Sequence, residues 1–441
     1  MKILMIMPDA HMHKLRIGSF TRSFREAPLT LTTLAALAPS DQFHFKLIDE
    51  SIDKVPLDYP ADLVAISVIT GTACRAYEYA KYFRRRSIPV VLGGVHVTIL
   101  PGEAAQYADT IVIGMAEKTW PQLLKDFSLN KMKKVYRDDR LPDDFTLKGV
   151  PSPRIDLQRR SGYMIPDTVQ ATRGCKHQCD FCTVPSVWPG FYKRPVSDVI
   201  SHIQSLPGKY IAFNDVSLVD DREYAKELFT AMIPLKKRWG GLATTMVSRD
   251  LELLELMKKS GCIYLLLGME SANQKTLCSI SKGFNKENEY REVVKTLHEY
   301  GISLQGCFVF GFDEDDSSIF ETTVQRVLDL KIDIPRYSIY TPYPGTRLFK
   351  RLSEENRILT LNWENYDTMH VVFQPAKMSP EELYRGFKWA YEKTFQLTHI
   401  AKRTILQSET PSLINFFGNL CYRIFVKRLY HEERFARPYM T

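Results

Sequence analysis

The sequence predicts an α/β chain: a doubly wound parallel sheet, then an incomplete barrel of six strand–helix units, then a mainly helical extension. Three observations carry this expectation. Apolar runs alternate with helical stretches over the first ~130 residues, a stretch rich in proline, aspartate and arginine interrupts them, and from Thr168 a strand-then-helix pattern repeats six times. The division expected is 1–137 for the sheet domain, 138–166 for a linker, 167–357 for the barrel and 358–441 for the extension.

In the first domain the strands are read at 3–7, 45–48, 63–68, 90–93 and 110–113. The opening run Met1-Lys-Ile-Leu-Met-Ile-Met-Pro8 is broken by proline and is too short for a signal or membrane-spanning segment, so it reads as the first strand. Two strand-to-helix junctions stand out. One is Ile66-Ser67-Val68-Ile69-Thr70-Gly71-Thr72; the other is Pro89-Val-Val-Leu-Gly93-Gly94-Val-His96-Val-Thr98, followed by Pro101-Gly-Glu103-Ala104 and Gly114-Met-Ala-Glu117-Lys-Thr-Trp120. Open α/β sheets bind ligands at the carboxyl ends of their strands, and glycine there lets a bulky group approach the backbone.

The linker is marked by Leu141-Pro-Asp-Asp, Val150-Pro-Ser-Pro and Ile165-Pro166. Beyond it, strands are read at 169–172, 210–213, 242–247, 263–268, 304–310 and 336–340, each followed by an amphipathic stretch such as 251–259 or 318–330. Six units rather than eight imply a barrel open on one side, with its chemistry at the carboxyl ends of the strands. Polar groups recur there: Asn214-Asp215, Ser248-Arg249-Asp250, Glu270-Ser271, Gly311-Phe-Asp313 and Thr341-Pro-Tyr-Pro344-Gly345-Thr346.

At the start of the barrel, Arg173-Gly174-Cys-Lys-His-Gln-Cys-Asp-Phe-Cys sets Cys175, Cys179 and Cys182 at C-x3-C-x2-C spacing. Three thiolates on one short loop can hold three corners of a four-iron cluster and leave one iron open for chemistry. Structural zinc requires four closed ligands; no second cysteine pair exists, and His177 inside the loop would complete such a site only with strained geometry. Cys74, Cys262, Cys278, Cys307 and Cys421 are isolated and read as small hydrophobes.

The run Thr172-Arg-Gly-Cys-x-x-x-Cys-x-Phe-Cys resembles the cluster loop of the radical S-adenosylmethionine (SAM) enzymes, with Phe181 as the typical aromatic before the third cysteine. The resemblance implies a [4Fe-4S] cluster whose open iron chelates SAM, and reductive cleavage of SAM to a 5′-deoxyadenosyl radical that abstracts a substrate hydrogen. The carboxylate, diol and sulfonium of SAM suit an arginine fork and a carboxylate, for which Arg249 and Glu270 are candidates. Asp215, Ser248 and Ser271 match the other SAM-contacting positions of that family, as does the Pro-x-Pro-Gly-Thr turn after the sixth strand.

The N-terminal segments look like the Rossmann-like cobalamin-binding domain of one branch of these enzymes. The resemblance implies that cobalamin is held by Ser67, Thr70, Gly71, Thr72, Gly93, Gly94, His96, Thr98, Gly114 and Glu117. The axial-ligand signature D-x-H-x-x-G is half present as Asp9-Ala10-His11-Met12-His13-Lys14, with lysine where glycine is expected, so cobalamin without a protein histidine on cobalt is expected. Trp363-Glu-Asn-Tyr366-Asp and Lys377-Met-Ser-Pro-Glu-Glu-Leu resemble the post-barrel segment of the hopanoid-methylase and porphyrin-cyclase neighbourhood of this branch. A methylthiotransferase is disfavoured, because a second cluster needs three N-terminal cysteines and the first 170 residues hold only Cys74.

The sequence therefore leads to a cobalamin-dependent radical SAM methyltransferase that methylates a carbon of a small-molecule or lipid-like substrate, using methylcobalamin and a second SAM. A cobalamin-dependent cyclase or oxidase without methyl transfer is the alternative, and a non-catalytic cobalamin-binding protein the second. An electron donor such as flavodoxin or ferredoxin is expected, and a cytoplasmic location. The net charge of +8, without a basic-aromatic stripe, does not argue for nucleic acid. Half of that charge lies in 401–441, where seven Lys and Arg face three Glu and Leu413, Phe416, Phe417, Leu420 and Ile424 recur at helical spacing. Such a basic helix reads either as docked on its own protein or as a peripheral membrane contact.

Overall fold

A computed structural model describes residues 1–10, 14–17, 20–39, 42–138, 146–406 and 413–431. His11 and His13 lie outside the described residues, as does 139–145 of the linker reading. The chain forms two compact units: Met1–Gly174 with Thr183–Pro207 and Asn362–Asp367, and Cys175–Cys182 with Gly208–Leu361 and Thr368–Thr441.

The first unit is built on six parallel strands in the spatial order His44–Asp49, Lys2–Met7, Leu63–Ser67, Val90–Gly93, Thr110–Ile113, Val135–Arg137. Residues 3–6 are completely buried, as are Leu63, Val64, Val90 and Leu92, which is why these runs carry no polar alternation. All five strands read from the sequence are present, and Val135–Arg137 adds a sixth. The order reverses between Lys2–Met7 and Leu63–Ser67, and such a switch point opens a crevice at the carboxyl ends of the strands. Ser67 pairs in register with Gly93, so the two turns singled out in the sequence emerge side by side at that end.

The stretch read as a linker contributes structure to this unit. Tyr163–Ile165 pairs with Phe20–Glu26, the Tyr163 hydroxyl donates to Asp49 Oδ2 at 2.7 Å, and Leu147 packs with Met115 and Tyr192. Polar turn residues concealed these contacts, because few of them recur at strand or helix period.

In the second unit five parallel strands follow one another in sequence order: Tyr210–Phe213, Arg238–Ala243, Cys262–Glu270, Ser303–Phe310 and Ile334–Ile339. Helices Arg222–Met232, Leu251–Ser260, Tyr290–Glu299, Ile319–Asp329 and Arg347–Glu354 follow them in turn, as expected of barrel units. Two sequence expectations need correction. The strand expected at 242–247 runs earlier, at Arg238–Ala243, because Gly240 and Gly241 weaken the strand signal there. The strand expected at 169–172 is instead two short pieces, Thr168–Val169 and Thr172–Gly174, the second paired antiparallel with Phe191–Lys193.

The C-terminal part is helical. Pro380–Thr394 starts with a capping box, Ser379 and Glu382 satisfying each other's backbone N–H, and Pro380 at its first position. Its Tyr391 hydroxyl both accepts from Tyr337 N (3.1 Å) and donates to Tyr337 O (2.8 Å), anchoring the helix on the last strand. The helix Leu413–His431 turns its amide side chains inward. Asn415 donates to Ser303 Oγ and Asp333 Oδ1, each at 3.0 Å, while Asn419 donates to Asp333 O and accepts from the buried Arg403. Phe417, by contrast, is 59% exposed. No helix among the described residues is long and apolar enough to cross a membrane.

Candidate active site

In the first unit the Gly93–Gly94 turn is fixed by sterics. Gly94 sits at φ +106°, and a Cβ there would lie 2.7 Å from Val68 O and 2.9 Å from Val68 N, so only glycine fits. Thr98 Oγ1 donates to Gly94 O (2.9 Å) and accepts from Gly114 N (3.0 Å), which ties this turn to the next one, where Gly114 is also left-handed at φ +79°. Thr72 Oγ1 closes its own turn on Ile69, accepting from its N–H and donating to its carbonyl.

His96 is wholly buried, with Nδ1 3.3 Å from Thr70 Oγ1 and Nε2 3.1 Å from the Tyr77 hydroxyl and 3.3 Å from Glu103 Oε1. Burial holds its pKa below the ordinary imidazole value, against the pull of Glu103. Both ring nitrogens are thus engaged inside the protein. Glu117 pairs with Arg173 at 2.5 Å, its second oxygen buried without a hydrogen-bond partner. Of the ten cobalamin-contact candidates, the side chains of Thr70, Thr72, His96, Thr98 and Glu117 are therefore occupied by the protein itself. The open features of these loops are glycines and backbone, which suits a broad macrocyclic ligand approaching the main chain.

In the second unit the cysteine loop is held from several sides. Lys176 N donates to Asp220 Oδ2 (2.9 Å), and Asp220 also accepts from Ser217 Oγ. His177 stacks on Phe284 with centroids 4.1 Å apart, so it serves packing. The Tyr340 hydroxyl donates to both Asp180 oxygens (3.2 and 3.0 Å), Leu348 N donates to Asp180 O (3.1 Å), and Arg347 donates to Gln178 O. Phe181 meets Tyr340 edge-on at 5.9 Å.

Cys175, Cys179 and Cys182 form no disulfide and are partly exposed. Burial, reinforced by the Asp220 carboxylate and by Cys182, pushes the Cys175 thiol up to about 12. Burial likewise pushes Cys179 up to about 11, with the Lys282 ammonium opposing it. Thiols so placed ionise only against a strong cationic partner, which iron supplies. Among the described residues no three His, Cys, Asp or Glu side chains converge on the position of a single metal ion. A cluster takes each thiolate on a different iron, so this donor set suits a cluster better than zinc.

Beside the loop, Glu270 ends the strand Cys262–Glu270 at φ +65°, where the register with Ser303–Phe310 shifts between Gly268 and Glu270. Its carboxylate accepts from Lys282 Nζ, and both side chains are buried. Asn285 donates to Gly268 O (2.8 Å) and accepts from Thr245 Oγ1 (2.7 Å), which ties the turn after Arg238–Ala243 to the strand Cys262–Glu270. Asp215 and Ser271 are buried at their strand ends, and Ser271 Oγ accepts from Asn273 N. Ser248 caps Thr245 O (3.0 Å), whereas Arg249 lies half-exposed and pairs with Glu289 at 2.6 Å. Sequence reasoning missed Lys282, Arg347 and Asp180. The only local signals were Gly283 after Lys282 and the Pro344-Gly345-Thr346 turn before Arg347.

Comparison with known proteins agrees with this anatomy. The chain matches the B12 binding domain over 2–124, the radical SAM superfamily over 169–325 and a domain of unknown function over 346–413. It is 32% identical to bacteriochlorophyllide d C-12(1)-methyltransferase of Chlorobaculum tepidum, over 92% of this chain and 90% of that protein. It is 26% identical to the anaerobic magnesium-protoporphyrin IX monomethyl ester cyclase of Cereibacter sphaeroides, over 76% of this chain and 60% of that protein. The radical SAM methyltransferase TsrM of Kitasatospora setae, solved with cobalamin and a [4Fe-4S] cluster, shares the fold at a TM-score of 0.63, with 17% identity over 88% of this chain and 85% of that one. Glycine-lined turns in the first unit, a three-thiol loop in the second and likeness over nine-tenths of the chain lead to one conclusion: the chain belongs to the cobalamin-dependent radical SAM enzymes.

Proposed function

We propose that this radical SAM enzyme is a C-methyltransferase acting on a small, largely apolar or lipid-like molecule. The observation that carries the reading is the three-thiol loop beside the buried Glu270–Lys282 pair, in a chain that also matches the B12 binding domain. Likeness over nearly the full length of a bacteriochlorophyllide methyltransferase, against only 60% of the cyclase, supports methyl transfer over cyclisation or oxidation.

When bound, the cluster supplies the electron that cleaves SAM, and cobalamin carries the methyl group to be transferred. Cys175, Cys179 and Cys182 would hold the cluster. Glu270 and Ser271, with Asp215, Ser248 and Phe181, would line the SAM position, and Arg249 would join them by exchanging Glu289 for the SAM carboxylate. The backbone at Gly71, Gly93, Gly94 and Gly114, with Ser67, would face cobalamin. On this reading residues 1–137 form the cobalamin domain, 138–166 the connection, 167–357 the barrel and 358–441 the extension.

A flavodoxin or ferredoxin would supply the reducing electron. The C-terminal helix, docked through Asn415 and Asn419, leaves Phe417 and Ile424 on its outer side and Lys427 exposed, which favours peripheral contact with an anionic membrane in an otherwise cytoplasmic protein.

Product stoichiometry tests the central claim. With methyl-labelled SAM and a tetrapyrrole or polycyclic lipid substrate, turnover yields S-adenosylhomocysteine and 5′-deoxyadenosine in comparable amounts, with label on a product carbon. Deoxyadenosine alone, with unlabelled product, would assign the protein to the cyclase and oxidase side.

A further inference from the structure

The six residues Asn362–Asp367 belong to the first unit, although the chain on either side of them belongs to the second. Trp363 Nε1 donates to both oxygens of Glu103, at 3.0 and 3.1 Å. Glu103 Oε1 also accepts from the Tyr77 hydroxyl at 2.8 Å and lies 3.3 Å from His96 Nε2. A His96 ring protonated on Nε2 donates to Glu103 and leaves Nδ1 to accept from the Thr70 hydroxyl, 3.3 Å away; this tautomer is assigned from its partners. A continuous line of polar contacts thus runs from Trp363 through Glu103 and His96 to Thr70.

The same segment touches the same turn a second way. The Tyr366 carbonyl lies where a Cβ on Gly71 would come within 3.1 Å, and the Trp363 ring packs edge-on against His96 with centroids 5.5 Å apart. Glu103 is the hub, and bonds to a carboxylate are stronger than neutral ones. His96 N donates to Val68 O (3.1 Å), which places the imidazole on the Gly93–Gly94 turn as well.

We propose that Trp363, Glu103 and His96 form a latch by which Asn362–Asp367 holds the 69–72 turn in the shape that receives cobalamin, with all three acting as positioning residues. This rests on the reading that the first unit binds cobalamin. The latch explains why a histidine in a ligand-binding turn is wholly buried with both nitrogens engaged. It also makes the cobalamin site depend on residues some 260 positions away in sequence.

The test uses the full-length chain and aquacobalamin. Trp363→Phe keeps an aromatic ring and removes the N–H, so its fold is safeguarded. The expected result is aquacobalamin binding weakened on the order of tenfold, the loss of one bond to a charged acceptor. Hydrogen exchange at 69–72 and 362–367 should rise in the free protein, and iron content after reconstitution should not change. Glu103→Ala, which removes the acceptor for Trp363, Tyr77 and His96 together, should weaken binding at least as much, and His96→Gln should recover part of the affinity that His96→Ala loses. Wild-type affinity together with wild-type exchange in Trp363→Phe would overturn the latch. If the unsubstituted chain bound no aquacobalamin, the reading of the site would fail instead. The exchange comparison would then still decide whether Trp363 orders the turn: faster exchange at 69–72 supports that, and unchanged exchange refutes it.

Discussion

Lys282 donates to Glu270 from a position twelve residues further along the chain, and the two side chains are only 11% and 9% exposed. Burial works against the ammonium, but Glu270 and the thiols Cys179 and Cys182 hold its pKa above the ordinary value. Removing one partner strands a buried charge. Lys282→Met is expected to destabilise the apoprotein by about 3–5 kcal/mol, and Lys282→Met/Glu270→Gln by clearly less, since it leaves no unpaired ion. Chemical denaturation followed by tryptophan fluorescence measures both; equal losses would show that the pair is not coupled.

Arg347 fastens the cysteine loop, donating to Gln178 O and to Ser281 Oγ (3.3 Å). Arg347→Ala removes a charged donor from a backbone carbonyl. A loss of roughly 1–3 kcal/mol in loop order is expected, read as a lower iron-to-protein ratio after reconstitution while cobalamin binding stays unchanged. Full iron content in the variant would show the clamp to be dispensable.

Gly94→Ala asks a side chain to adopt φ +106° with its Cβ 2.7 Å from Val68 O. A strain of roughly 1–3 kcal/mol is expected, with a fall in thermal midpoint and in retained cobalamin. Gly102→Ala is the control, because a Cβ there meets nothing within 4 Å, and it should leave both unchanged.

Asp315 accepts from Gly311 N and Phe312 N through Oδ2, each at 3.1 Å, while Oδ1 is buried with no hydrogen-bond partner. Burial pushes its pKa up to about 7, from 3.8 for an ordinary aspartate. The folded state therefore keeps a proton that the unfolded chain releases. This contribution is complete below the unfolded pKa, declines as pH rises, and is lost above about 7. Thermal midpoints measured between pH 5 and 8 should fall with pH in the parent protein, and Asp315→Asn should flatten that part of the profile.

Much of this was legible in the chain because it depends on local rules. Cys175, Cys179 and Cys182 announce themselves by spacing, and the strand ends by hydrophobic period followed by small or hydroxyl residues. What stayed hidden depends on where distant segments meet. Lys282 and Glu270 are tied by a bulged strand end, Arg347 reaches back to Gln178, and Trp363 reaches Glu103 across 260 positions. His96 shows the opposite failure: its motif was visible, but only the fold reveals that Thr70, Tyr77 and Glu103 already occupy its ring. Arg249 was chosen for its chemistry, and its engagement with Glu289 could not be read from spacing.

The antiparallel pairing of Thr172–Gly174 with Phe191–Lys193 brings Gly174 so near Gly190 that a Cβ would fall 1.8 Å from its carbonyl oxygen. The chain between them is thereby closed into a ring by a pairing that uses backbone groups alone and takes no bond from a cluster. Most of the entropy of gathering the three thiols is then lost when the polypeptide folds rather than when iron and sulfide are delivered. Metallation is then expected to be a late step on a prepared loop. An apoprotein of this kind should persist folded through iron starvation and regain its centre when supply returns, without passing through the unfolded chain.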